Sequence, residues 1–232
     1  MSIREGTMKE NDGKRQIHLS IDDIGKSLTW LAKNRPESMF DMRLYGTLLQ
    51  WHKEYEAKFT LYCFPIESNI LTHETLLKYA DEFSANADWL RFGYHGRNEK
   101  RFCDNEHYKD DFLNFRMAAK QLGMGKTTII RLHYWIANDE QQNFLFQNGI
   151  RILLYPDRES MLYGEDDSFY EGSLEYWKTG VRFEALEVIN EETLLIGKKR
   201  IVAFTHEKFF DKEKEKIEKA LCLYKMKGYC FI

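Results

Sequence analysis

Ile17-His-Leu-Ser-Ile-Asp-Asp23 is a short apolar run that ends in two adjacent carboxylates. Helical spacing follows it from Ser27 to Leu31 and again from Met42 to Tyr55, with apolar residues at Leu44, Leu48, Trp51 and Tyr55. A short run bounded by charge and followed by such spacing reads as a strand feeding a covering helix. The same alternation continues outward from this point. Phe59-Thr-Leu-Tyr-Cys-Phe64 stops at Pro65, where the backbone lacks a donor. Thr72 is then placed to cap a helix carrying Leu76, Leu77, Tyr79, Ala80 and Phe83.

Trp89 to His95 reads as the next strand, and residues 107–122 as a helix with Phe112, Phe115, Ala119 and Leu122 in one stripe. Beyond the turn at Gly123-Met-Gly125, strands are expected at Thr128–Tyr134 and Ile150–Tyr155, the latter closed by Pro156. Leu174–Trp177 has helical spacing; either Val181–Phe183 or Leu186–Ile189 reads as a strand; Ile201–Thr205 is the last clear strand before a charged helix from Phe209 to Tyr224. Strand and helix alternate six or seven times without a linker. That order implies parallel strands covered by helices, which a closed barrel and an open doubly wound sheet both satisfy. The expected organisation is a flexible segment over residues 1–15 and a single domain over residues 16–232.

At 232 residues and 43% hydrophobic content, one large core is within reach. The net charge of -3 comes from 34 basic and 37 acidic residues without a long block of either sign, so neither a nucleic-acid nor a membrane partner is expected. Lys14-Arg15 and Lys198-Lys-Arg200 precede apolar runs and read as solvated strand starts. The cysteines lack C-x-x-C spacing, and the first 16 residues lack an apolar leader core, which together give the expectation of a cytoplasmic location. Nothing in the pattern addresses oligomeric state.

In parallel α/β folds the usable cleft lies beyond the C-terminal ends of the strands. Asp22 and Asp23, His95, His133 and His206 all fall at such ends. If the extension continued through the Asp pair, the two side chains would point in opposed directions, one to bind an ion and the other to orient or deprotonate water. Their bland reading is as caps of the following helix. Carboxylate and imidazole together suit zinc or another first-row divalent ion. Within Arg131-Leu-His-Tyr-Trp135, alternation puts Arg131, His133 and Trp135 on one side, with Arg131 and Trp135 as candidate substrate contacts. Glu207 follows His206 and could orient its imidazole. Gly123-Met-Gly-Lys-Thr-Thr128 is a connecting turn and not a phosphate loop, because Lys120 stands where the first glycine is required.

Ser20-Ile-Asp-Asp23, Phe92-Gly-Tyr-His95 and Phe204-Thr-His-Glu207 resemble the motifs of the polysaccharide deacetylase-like family of the glycoside hydrolase/deacetylase superfamily, over residues 16–210. The resemblance implies a distorted (β/α)7 barrel, NodB-like, and a divalent metal, zinc in many members. It implies removal of acetyl groups from a small or oligomeric N-acetylated carbohydrate. By the same resemblance Asp22 is the catalytic base, Asp23 and His95 are metal ligands, and His206 is the catalytic imidazole. The family's second motif has a further histidine where this chain has Glu99, so the third ligand is either Glu99 or His133. Two alternatives follow from that departure: a catalytically silent glycan-binding barrel, or a different hydrolase acting on a phosphate, amide or glycosidic bond.

Overall fold

The computed structural model describes residues 14–65, 70, 73–98, 106–134, 137–155, 168–171, 174–178 and 180–232. Residues 1–13, Thr72, Glu99 and Trp135 lie outside the described residues. In chain order the elements are β1 (Gln16–Ile24), α1 (Lys26–Asn34), α2 (Arg43–Tyr55), β2 (Phe59–Cys63), α3 (Ala80–Ala85), β3 (Leu90–Tyr94), α4 (Tyr108–Gln121), β4 (Gly125–Lys126) and β5 (Ile129–Ile130). There follow α5 (Asp139–Gln147), β6 (Ile152–Tyr155), β7 (Ser168–Glu171), β8 (Leu174–Lys178), β9 (Val181–Arg182), β10 (Arg200–His206), α6 (Phe210–Met226) and β11 (Cys230–Phe231).

One sheet runs β4-β3-β2-β1-β10-β9, with β11 against the start of β1, and a second runs β5-β6-β8-β7. All pairings are parallel except β7 with β8. The sheets meet along two seams. At one, the His133 N–H donates to the His95 carbonyl at 2.6 Å; at the other, Arg200 Nη1 on β10 lies 2.6 Å from Glu175 Oε1 on β8. The wall so formed is a distorted (β/α)7 barrel.

The pleat of β1 explains how the wall is filled. Ile17, Leu19 and Ile21 join the large cluster under the helices, alongside Leu28, Leu48, Trp51, Ile217 and Leu221. His18, Ser20 and Asp22 alternate with them and are also buried, so β1 is covered on both faces as an interior parallel strand must be. A second cluster of Tyr62, Ile129, Leu154, Trp177 and Val202 fills the lumen. Each fully buried Leu- or Phe-sized side chain contributes roughly 1.5–3 kcal/mol.

Several expectations are corrected by the fold. Of Thr128–Tyr134 only Ile129–Ile130 is strand, as β5; β4 precedes that segment at Gly125–Lys126 in the other sheet, and between the two the Thr127 hydroxyl bonds the N–H (3.0 Å) and carbonyl (3.1 Å) of Ile129 in a local turn. Leu174–Trp177 is strand β8, not helix. Tyr176 packs into the helix-side cluster and Trp177 into the lumen, so burial on both faces hides the period of two. Val181–Arg182 is the strand and Leu186–Ile189 is not, and the helix expected after Thr72 is a 3-10 turn over His73–Tyr79 that passes into α3.

The start of α1 is held from a distant part of the chain. The N–H groups of Gly25, Lys26 and Ser27 donate to the Glu207 carboxylate at 3.0, 2.8 and 2.6 Å. A carboxylate at a helix N-terminus satisfies otherwise orphaned donors and meets the positive end of the helix dipole. Glu207 therefore has the capping role that the Asp22-Asp23 pair was the obvious candidate for. Glu207→Ala is expected to lower stability by about 2 kcal/mol. A thermal melt showing an unchanged midpoint would contradict this reading of the cap.

Candidate metal centre

The mouth of the barrel is built where β1, β3, β5, β9 and β10 end. At the end of β1 the backbone does not stay extended. Asp23 adopts φ 58°, and the pairing of β1 with β2 shifts between Ile21 and Ile24. Aspartate tolerates this left-handed conformation better than a branched residue would. The kink brings the Asp23 carboxylate round toward the imidazoles beyond β3 and β5, while Asp22 continues the lumen-facing row of β1.

Asp23, His95 and His133 each present one ligand atom, and these atoms lie within 4.8 Å of one another. Asp23 Oδ1 is 3.3 Å from His95 Nε2 and 3.7 Å from His133 Nδ1. His95 is itself oriented, since its Nδ1–H donates to the Arg131 carbonyl at 2.8 Å. That bond fixes the tautomer and leaves the Nε2 lone pair on the Asp23 side. Asp23 Oδ1 is buried and accepts no well-aligned hydrogen bond among the described residues. Three converging lone-pair atoms, one on a buried carboxylate oxygen without a proper donor, fit a divalent cation. Burial alone would push the Asp23 carboxyl up; the close approach of His95, with His206 and His133, outweighs it and holds the carboxyl below its usual range.

Behind this triad Asp22 is 1% exposed, with Arg131 Nη1 at 3.3 Å from its Oδ2 and the Ser20 hydroxyl donating to its Oδ1 at 3.1 Å. Arg131 is fully buried, its guanidinium 3.9 Å from the centre of the Phe204 ring. Its expected place against substrate thus becomes a place beneath the site, gripping a carboxylate. Strand alternation does not govern Arg131 and His133 as expected, because the chain leaves β5 at Ile130 and turns at Tyr134 with φ 59°. Burial pushes the Asp22 carboxyl above its ordinary value in spite of the opposing Arg131 charge.

His206 is the register neighbour of Asp22 across β1 and β10. Its Nδ1 is paired with Glu184 Oε1, and Arg182 Nε lies 3.1 Å from the same oxygen. Burial opposes charging of this imidazole, but the Glu184 hydrogen bond and the nearby Asp22 charge raise its pKa overall. The orienting carboxylate is therefore Glu184 and not Glu207. Sequence reading missed Glu184, although it stands two residues past β9, the same strand-end position that marked the other groups.

No family model matches the chain, and no curated protein matches it in sequence. Solved structures do match. A peptidoglycan N-acetylglucosamine deacetylase, Bc1960, superposes with TM-score 0.57 at 13% identity, over 95% of this chain and 86% of that one. The family 4 carbohydrate esterase from Streptomyces lividans, in complex with acetate, gives TM-score 0.56 at 10% identity over 94% and 91%. The peptidoglycan deacetylase PdaC from Bacillus subtilis gives 0.53 at 12% identity over 94% and 87%. With nearly the whole chain aligned in each case, the distorted barrel described above is the fold of the polysaccharide deacetylases.

Proposed function

We propose that this chain is a metal-dependent hydrolase that removes the acetyl group from an N-acetylated carbohydrate. The observation that carries the reading is the sharing of one mouth by the Asp23, His95 and His133 triad, an arginine-gripped Asp22 and a glutamate-paired His206. A divalent ion held by the triad supplies Lewis acidity, which acidifies water and stabilises negative charge on an acyl oxygen; zinc suits two imidazoles and a carboxylate.

The remaining work falls to the chain's own groups. Asp22 takes a proton from the attacking water, and its raised pKa suits a base that must also give the proton up. Arg131, with the Ser20 hydroxyl, holds that carboxylate at the lumen end of β1. As the bond from the acyl carbon to nitrogen breaks, His206 protonates the departing amine from Nε2, because Nδ1 is engaged by Glu184. The products are acetate and a free amino sugar.

The test is acetate release from N-acetylglucosamine oligomers by zinc-loaded protein, with Asp22→Asn and Asp23→Ala beside the native chain. Asp22→Asn is expected to keep the ion and lose at least about 100-fold in turnover, the scale of a general base; Asp23→Ala is expected to lose both. Tight binding of the oligomers by loaded protein without any acetate release would replace this reading with a silent glycan-binding barrel.

A further inference from the structure

The split between β4 and β5 leaves more than a seam. β3 pairs with β4 only at Arg91 and Phe92, and the next described link from β3 across the wall is the bond between His95 and His133. A cavity of about 520 Å³ occupies the interval, under α4. That volume falls in the range of small-molecule sites. Its lining draws on both faces of the wall: Ile129 belongs to the lumen cluster, whereas Phe92, Phe115 and Ile130 belong to the helix-side core.

The charge at this cavity is one-sided. Arg116, Lys120 and Lys126 line it and, among the described residues, no acidic side chain does, in a protein whose net charge is -3. Lys120 and Lys126 are exposed, and neither forms an ion pair among the described residues. Arg116 is partly buried at the same edge, with Nη1 bonded to the Asn148 carbonyl and the guanidinium 5.7 Å from the Phe112 ring centre. An aromatic and aliphatic interior with a wholly cationic edge matches a ligand with an apolar body and one anionic end.

We infer that this seam is a second ligand site, separate from the metal centre, for an aliphatic carboxylate of fatty-acid type. The alkyl chain lies among Phe92, Phe112, Phe115 and Ile130, and the carboxylate meets Lys120 and Lys126. The site adjoins the metal centre through the chain itself, since Tyr94 and Ile130 of the lining directly precede His95 and Arg131.

Calorimetry with decanoate on the whole protein tests this, with decanol and acetate as probes of the two halves of the ligand. Saturable binding of decanoate is expected, with decanol weaker by at least about tenfold, the worth of a charge-assisted contact, and acetate not binding at this site. Lys120→Glu with Lys126→Glu should weaken decanoate at least about tenfold and leave decanol unchanged. Ala119→Phe, which fills the cavity from α4, should abolish binding of both, with retained far-ultraviolet circular dichroism reporting that the chain is folded. Equal affinity for decanoate and decanol would remove the cationic half of the inference. Decanoate binding that survives both sets of substitutions, or no binding by the native protein, would overturn it.

Discussion

His133→Ala is expected to lower the affinity of the protein for zinc by more than about 100-fold, the loss that changes in outer-shell partners alone can reach, and to lower acetate release in step. His133 is the member of the triad that comes from beyond β5, and its Nδ1 is 3.4 Å from His95 Nε2. Without it only Asp23 and His95 remain of the triad, and two protein ligands leave a zinc ion short of the three that catalytic sites use. The side chain sits at the mouth, not in either packed cluster, so the apo protein should melt close to the native midpoint. Competition titration with a chromogenic chelator measures the ion directly. If His133→Ala binds zinc normally and Glu99→Ala does not, the third ligand is Glu99.

The second large effect concerns acid stability. His18 is fully buried in the lumen, and Tyr62 fixes its protonation: the Tyr62 hydroxyl donates its one proton to the Ile129 carbonyl (3.1 Å), so His18 Nε2–H must donate to the hydroxyl oxygen (3.2 Å). Burial, reinforced by the charges of Arg131 and Arg91, lowers the His18 pKa from 6.5 to about 3. Below pH 6.5 the unfolded chain therefore takes up a proton at this position that the folded chain refuses. The unfolded state binds more protons throughout that window, so stability falls with falling pH, by up to about 1.4 kcal/mol per pH unit from this group. Down to pH 4.5 the loss is on the order of 2 to 3 kcal/mol, large against the 5–15 kcal/mol typical of a whole domain. His18→Gln keeps an N–H donor and cannot titrate. Urea unfolding at pH 7 and pH 4.5 should show a smaller acid loss for His18→Gln than for the native chain; parallel losses would place the acid sensitivity elsewhere.

The parts of this molecule that could be read from sequence are those where one local rule acts alone. Ile17–Ile21, Phe59–Phe64 and Ile201–Thr205 are short apolar runs closed by a carboxylate pair, a proline and a histidine, and the structure places β1, β2 and β10 there. Asp23, His95 and His133 meet because each terminates or follows such a run. What escaped reading depends on geometry that no local pattern carries. The left-handed turn at Asp23 redirects a side chain that alternation would have sent away. The burial of Arg131 follows from where Asp22 and Phe204 sit across the lumen. Glu184 finds His206 only because β9 and β10 are neighbours, 22 residues apart in sequence. Leu174–Trp177 failed for a different reason, since a strand covered on both sides shows no alternation at all.

The joining of β1 to β10, with Glu207 reaching back across 180 residues or more to the first turn of α1, bears on how the protein is made. On a translating ribosome Asp23, His95 and His133 emerge well before Glu184, His206 and Glu207 are synthesised. The Asp23, His95 and His133 triad thus precedes the Glu184 and His206 pair. Until the last quarter of the chain arrives, β1, a strand covered on both faces in the finished wall, stays an open edge, a vulnerable interval in which chaperones have the most to protect.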